Sequence, residues 1–118
     1  MKHSTGNPTK AEQARFAKLK AMKCIACTLN GKASGDEDYD TVPPEIHHIK
    51  SGGRRIGHMA TLPLCHWHHQ GVPYDGMTAA WLLERVGPSV HKHTKPFRRR
   101  YGTEAELLET VNGMIANG

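Results

Sequence analysis

Residues 65–71 read CHWHHQG and place one cysteine and three histidines within five consecutive positions. The chain has three cysteines in 118 residues, and the other two are Cys24 and Cys27. Two residues separate Cys24 from Cys27, and two residues also separate Cys65 from His68. This gap lets both side chains of a pair face one tetrahedral ion, and zinc accepts both thiolate and imidazole ligands. The two pairs together predict a structural Zn²⁺ site that fixes how the chain can fold.

The composition makes a metal-stabilised fold plausible on physical grounds. Apolar residues make up 37% of the chain and aromatic residues 6%, so a single small domain of this length has a thin hydrophobic core. Small domains often gain the missing stability from a bound metal or from disulfides. An odd number of cysteines and a polar, basic stretch over residues 1–20 predict a reduced, cytoplasmic protein with no leader segment. No stretch is long and apolar enough to predict a membrane span.

Two alternatives for the cysteine and histidine cluster remain open at this point. His66 competes with His68 for the fourth ligand position, although a gap of one residue after Cys65 is tighter than usual. Cys24 and Cys27 also have the spacing of a thiol redox pair. No βαβ pattern surrounds them, so the zinc interpretation is preferred.

The rest of the chain predicts an α+β fold with one short antiparallel hairpin and flanking helices. A basic helix should begin at a capping box of Thr9 and Glu12 and run to residue 22, followed by a loop over residues 30–40. Strands are predicted between Pro44 and Gly52 and over residues 59–65. Further helices are predicted at residues 78–86, 94–100 and 103–115. We divide the chain into a basic tail and helix, residues 1–22, and a main domain, residues 23–118.

The segments EIHHIKSGGRR and LPLCHWHHQG, residues 45–55 and 62–71, resemble the HNH nuclease family, also called ββα-metal nucleases. The family pattern is CxxC, a [DH]-H-I strand, a glycine-bearing loop, LCxxC and a histidine directly after. In this chain His68 takes the place of the fourth cysteine. The resemblance covers about residues 24–110. The residues that carry it are Cys24, Cys27, His47, His48, Ile49, Gly52, Gly53, Leu64, Cys65 and His69.

This resemblance implies a zinc-stabilised ββα-metal core and catalytic roles for three histidines. His47 corresponds to a ligand of the catalytic metal, His48 to the general base that activates water, and His69 to a metal or phosphate ligand. The family implies Mg²⁺ or Mn²⁺ as the catalytic ion, and imidazole ligands also accept Zn²⁺. Many HNH enzymes have a bracing asparagine where this chain has Ala60, so His58 is a candidate to replace it.

The segment SVHKHTKPFRRRYG, residues 89–102, resembles a narrower branch, the phage recombination-enhancement nucleases that depend on the RecA recombinase. In that branch a downstream histidine completes the metal site. His91 matches this position best, and His93 competes with it. The resemblance implies DNA as substrate, a RecA filament as partner and a phage or prophage setting; we expect a monomer.

The charge of the chain agrees with a nucleic-acid partner. The formal net charge is +5 with nine histidines counted as neutral, and a basic balance favours polyanionic partners. The candidate DNA-binding residues lie in the hairpin loop and near residues 92–99: they are Arg54, Arg55, Lys92, Lys95, Arg98 and Arg99. The chain is therefore predicted to be a metal-dependent DNA endonuclease. The competing hypothesis is a non-catalytic zinc module that binds nucleic acid by charge.

Overall fold

The computed structural model of the protein describes residues 7–34, 44–74 and 76–117. The fold is α+β, as predicted, with one small hairpin and helices around it. In chain order the elements are α1 (Lys10–Ala21), α2 (Ile25–Ser34), β1 (Glu45–His48), β2 (Lys50–Ser51), β3 (Arg54–Arg55), β4 (Thr61–Leu64), α3 (His66–Gln70), α4 (Ala79–Val86), α5 (Thr94–Tyr101) and α6 (Glu104–Asn117).

The hairpin is the element that positions the candidate site. Strand β1 pairs antiparallel with β4, with Glu45 opposite Leu64, and β2 pairs with β3 near the turn. Ile49 joins the two paired parts, because its N–H donates to the carbonyl of Ala60 and its carbonyl accepts from Ile56. Residues 56–60 therefore all lie opposite Ile49. We call this insertion in the second strand the 56–60 loop. The predicted antiparallel pairing of the two strands is confirmed.

Three helices begin where their capping residues predict. Thr9 and Glu12 form both hydrogen bonds of a capping box at the start of α1. Thr103 and Glu106 make the same reciprocal pair before α6, with distances of 2.8 and 3.2 Å. The Thr78 hydroxyl accepts from the N–H of Trp81 at the start of α4. The predicted helices at residues 78–86, 94–100 and 103–115 are confirmed within two residues at each end.

Two helices, α2 and α3, were not predicted from the sequence. The expected loop at residues 30–40 is wrong in its first part, because α2 continues through Asn30 to residue 34. The Asn30 side chain is buried, where its amide donates to the carbonyl of Val86 and its oxygen accepts from Arg100 and Tyr101. These long-range bonds override the turn preference of the Asn-Gly pair. The acidic remainder of that loop lies outside the described residues.

The core lies where α1, the hairpin and the C-terminal helices meet. Its largest buried apolar side chains are Leu19, Ile25, Leu62, Leu64, Trp67, Leu82, Phe97, Leu107 and Val111. The Arg15 guanidinium connects α1 to β4 and α6, because it donates to the hydroxyl and carbonyl of Thr61 and to the side chain of Asn112. The proposed division at residue 22 stays a prediction. No described helix is both long and apolar enough to cross a membrane.

Candidate metal centres and active-site cavity

Three thiols and one imidazole meet in the core. Cys24 directly precedes α2 and Cys27 lies in its first turn, while Cys65 caps α3 and His68 lies within that helix. All four residues are buried, and their ligand atoms lie within 4.8 Å of one another. The group could hold a metal such as zinc. It consists of the four residues that the spacing predicts.

The distances within this Cys₃His group fit a tetrahedral ion. The Sγ atoms of Cys24, Cys27 and Cys65 lie 3.5, 3.3 and 3.3 Å from Nδ1 of His68, and Cys27 Sγ lies 3.9 Å from Cys65 Sγ. Zn–S and Zn–N bonds of about 2.3 and 2.0–2.1 Å in a tetrahedron put sulfur about 3.8 Å from sulfur and about 3.6 Å from nitrogen. The donor set therefore matches zinc in both chemistry and spacing.

The surroundings prepare these donors for a cation. Nε2 of His68 lies 2.7 Å from the carbonyl oxygen of Val86, which can only accept, so Nε2 carries the proton and Nδ1 keeps a lone pair. The N–H of Cys27 donates to Cys24 Sγ, and the N–H of His68 donates to Cys65 Sγ. Hydrogen bonds among the three thiols lower the pKa of Cys65 and raise the pKa of Cys27, because one thiolate is stabilised by its neighbouring thiols.

The rival uses of this cluster have less structural support. His66 is not part of the group; its ring lies 4.5 Å from that of Tyr74. The redox hypothesis for Cys24 and Cys27 requires an accessible thiol, whereas both are at most 5% exposed. Trp67, between the two histidines, is 1% exposed and donates its indole N–H to the carbonyl of Gly87. It is a packing residue rather than a platform for bases.

A second group of three histidines also includes a residue of α3. His47 comes from β1, His69 from α3 and His91 from the turn before α5, and their ligand atoms lie within 4.8 Å of one another. The structure brings His91 rather than His93 to this group. Nδ1 of His93 accepts from the N–H of Ser89 at 3.0 Å, so its ring is held at the start of α5.

Two of these histidines contact a carboxylate. Nε2 of His47 lies 2.6 Å from Oε2 of Glu104, at the start of α6, and Nδ1 of His69 lies 2.9 Å from Oε1 of Glu45, at the start of β1. The hydrogen bond with His47 lowers the pKa of Glu104. Burial lowers the pKa of His69, against the opposing effect of Glu45. Each of the two histidines thus has one ring nitrogen in a hydrogen bond with a carboxylate and the other left for a ligand.

His48 has a different partner from its neighbour His47. Its Nε2 lies 3.0 Å from Nδ1 of His58, which the 56–60 loop carries back to the hairpin. The ring of Phe16 in α1 meets both imidazoles edge-on, at 6.0 and 5.4 Å. Burial, followed by the positive charge of Arg55, lowers the pKa of His48 to about 4. His48 is therefore neutral near pH 7 and able to accept a proton.

The histidine group opens into a cavity of about 280 Å³. Its polar lining combines histidines, one carboxylate and two cations, Lys50 and Arg55, which face each other across β2 and β3. Both His47 and His48 line it. A pocket lined by imidazoles, a carboxylate and two cations can bind a divalent ion and a phosphate together.

A family model described as recombination enhancement, RecA-dependent nuclease matches residues 8–116. The chain belongs to this family. The name of the recombination-enhancement nucleases indicates a nuclease activity that depends on RecA, and hence involvement with DNA. The matched range of this family member includes the Cys₃His group, the three histidines, the 56–60 loop and Glu104.

The structure sorts the DNA-binding candidates of this nuclease by position. Arg55 lines the cavity, and the charge of Arg98 acts on Glu104 at its edge. The side chain of Arg54 is opposite Ser51 and does not line the cavity. Exposed candidates that also do not line it are Lys92, Lys95 and Arg99. Their roles stay predictions.

Sequence reasoning missed three polar residues that line the cavity, Lys50, Thr94 and Glu104, and it missed Glu45, which contacts His69. Glu45 and Glu104 contact histidines 24 and 57 positions away, so no local spacing pairs them. Lys50 could have been found, because it directly follows the His-His-Ile strand. In the structure it lines the cavity opposite Arg55. Thr94 also lines the cavity, and its position as the first residue of α5 carries no sequence signal of its own.

Proposed function

We propose that this nuclease is a metal-dependent DNA endonuclease of the HNH, or ββα-metal, type that hydrolyses phosphodiester bonds. The observation that carries the proposal is the meeting of His47 from the hairpin, His69 from the short helix α3 and His91 from the turn before α5. Two separate donor sets of different chemistry fit one ion that stabilises the fold and another that takes part in the reaction.

The residues that would hold the catalytic ion are His47, His69 and His91. Such an ion, Mg²⁺ or Mn²⁺ with Zn²⁺ as an alternative, would polarise the scissile phosphate and stabilise the leaving oxygen. The Cys₃His group of Cys24, Cys27, Cys65 and His68 would hold the structural Zn²⁺.

His48 acts as the general base in this proposal. It is neutral near pH 7 and lines the cavity, so it can take a proton from the attacking water. Nε2 of His48 is hydrogen-bonded to His58. When Nε2–H of His48 donates in this bond, Nδ1 of His48 is the basic nitrogen. The edge contacts of Phe16 restrain both rings in this arrangement.

Cations around the cavity would bind the DNA backbone. Lys50 and Arg55 are placed to contact phosphates next to the scissile bond, since they line the cavity with the histidines. Arg54, Lys92, Lys95, Arg98 and Arg99 would add sequence-independent affinity farther along the strand. A RecA filament on DNA would bring the enzyme to its substrate during phage or prophage recombination. The enzyme would act as a monomer. The family name supports the dependence on RecA.

A non-catalytic zinc module that binds nucleic acid by charge is the alternative. It shares the Cys₃His group and the cations, but it gives no use to a neutral His48 beside a histidine group that can bind metal. The two hypotheses therefore differ in their need for His48.

The test is cleavage of single-stranded and supercoiled DNA with Mg²⁺ or Mn²⁺, with and without RecA and ATP. We expect His48→Ala to lower cleavage by about 10²–10⁴-fold, the usual contribution of a general base, while zinc content and folding persist. Trp81→Ala is the matched control, because Trp81 is exposed and does not line the cavity. Retained DNA binding without cutting by the wild type would support the binding module instead.

A further inference from the structure

The contact between Glu104 and His47 joins the last described helix to the hairpin. Glu104 begins α6, and its Oε2 lies 2.6 Å from Nε2 of a histidine 57 positions earlier in the chain. The side chains of His47 and Glu104 are 9% and 19% exposed, so the pair is largely shielded from solvent. Both residues line the cavity.

The chemistry of this pair fixes which nitrogen of His47 can bind an ion. An ionised carboxylate can only accept hydrogen bonds, so Nε2 of His47 carries the proton and Nδ1 keeps the lone pair. The Glu104 carboxylate is not part of the group whose ligand atoms all lie within 4.8 Å. Glu104 is therefore placed to act through His47 rather than as a ligand itself.

His69 provides an internal comparison for this arrangement. Its Nδ1 lies 2.9 Å from Oε1 of Glu45, but the Glu45 side chain is 38% exposed and the same oxygen also accepts from Gln70. A more exposed and shared acceptor restrains a ring less, because water competes for the same hydrogen bonds. The stronger restraint is expected at Glu104.

We propose that Glu104 is a positioning residue that fixes the tautomer and orientation of His47 and so sets the affinity of the histidine group for a divalent cation. This inference rests on the proposed function, because that function makes His47 a ligand. It adds a determinant from α6, an element that supplies none of the three histidines. Removing such an outer carboxylate typically weakens metal binding by about 10–100-fold.

The experiment is a Mn²⁺ titration of the zinc-loaded full chain, followed by electron paramagnetic resonance. We expect Glu104→Gln to bind Mn²⁺ about 10–100-fold more weakly than the wild type and Glu45→Gln to show a smaller loss. Glu109→Gln is the matched control, since Glu109 is an exposed carboxylate of the same helix. Equal affinity of Glu104→Gln and wild type, at unchanged zinc content, would overturn the proposal.

A second measurement tests the inference in the wild type itself. The ¹⁵N chemical shifts of the imidazole nitrogens report which one carries the proton in the Mn²⁺-free wild type. The Nε2–H form of His47 is expected, with a mixture of forms in Glu104→Ala; an Nδ1–H form in the wild type would contradict the inference.

These readouts separate the inference from the proposed function. Weakened Mn²⁺ binding in Glu104→Gln, with no DNA cleavage by the wild type under any condition, would remove the endonuclease and leave the role of Glu104 standing. Cleavage by the wild type with no effect of Glu104→Gln on Mn²⁺ affinity would do the reverse. Equal Mn²⁺ affinities of His47→Ala and the wild type would overturn the inference.

Discussion

His48 relies on another imidazole, His58, where many histidine bases rely on a carboxylate. A carboxylate partner would raise the pKa of the base, whereas an imidazole orients the ring without adding a negative charge. Burial and Arg55 then lower the pKa of His48 to about 4. The residue pair thus favours a base that stays unprotonated over one with high basicity.

The role of this pair is testable by substituting His58. We expect His58→Ala to lower single-turnover DNA cleavage by at least about tenfold, yet by less than the loss of the base itself, because His48 then lacks its orienting partner. His58→Asn should recover part of the loss, since an amide oxygen can accept from Nε2–H. Met59→Ala is the control in the same loop, with an exposed side chain. Equal activities of His58→Ala and the control would exclude the orienting role.

At the scale of elements, capping residues predicted three of the six helices that the structure describes, and tertiary contacts account for α2. Thr9, Thr78 and Thr103 predicted three helix starts because their hydroxyl groups bond to free N–H groups nearby in sequence. Helix α2 could not be predicted, since Asn30 is helical through bonds to residues 56–71 positions away. Local signals therefore gave the helix ends, while buried polar contacts gave the exceptions.

The same division holds for the candidate site. The Cys₃His group followed from two short spacings, and His47, His48, His69 and His91 followed from a family pattern. The partners of these histidines did not follow, because Glu104 reaches His47 only through the packing of α6 on the hairpin. Ligands can be encoded by local spacing, whereas the groups that orient them are set by the tertiary fold.

Arg15 links three elements, and we expect its guanidinium to be hard to replace. It donates to both the hydroxyl and the carbonyl of Thr61 in β4 and to Asn112 in α6. Arg15→Lys keeps the charge but cannot span these acceptors, so the free energy of unfolding should fall by about 2 kcal/mol. Urea unfolding followed by circular dichroism measures the change.

The control for this prediction is Lys18→Arg on the exposed face of α1, which should leave the unfolding free energy nearly unchanged. An Arg15→Lys variant as stable as the wild type would mean that water satisfies the acceptors and that the three elements do not depend on this side chain.

For the whole molecule, the two donor groups should respond differently to metal removal. The Cys₃His group is buried in the core, whereas His91 of the histidine group is exposed at an open cavity. A mild chelator should therefore abolish cleavage reversibly while the circular dichroism spectrum persists. A strong thiol-competing chelator should remove zinc slowly and unfold the protein, because the metal replaces part of a thin core.

Atomic emission for zinc content, measured beside the spectrum and the cleavage rate, distinguishes the two steps. Complete zinc release with an unchanged spectrum and melting temperature would contradict a fold-stabilising role for the Cys₃His group.

The order of the two groups along the chain has a consequence for synthesis. All four members of the Cys₃His group precede residue 69, whereas His91 and Glu104 come much later. A chain leaves the ribosome from its N-terminus, so the nascent protein can close its hairpin around zinc before the cavity has its third histidine and its carboxylate. The cavity therefore gains its third histidine and its carboxylate only after all four members of the Cys₃His group have been synthesised.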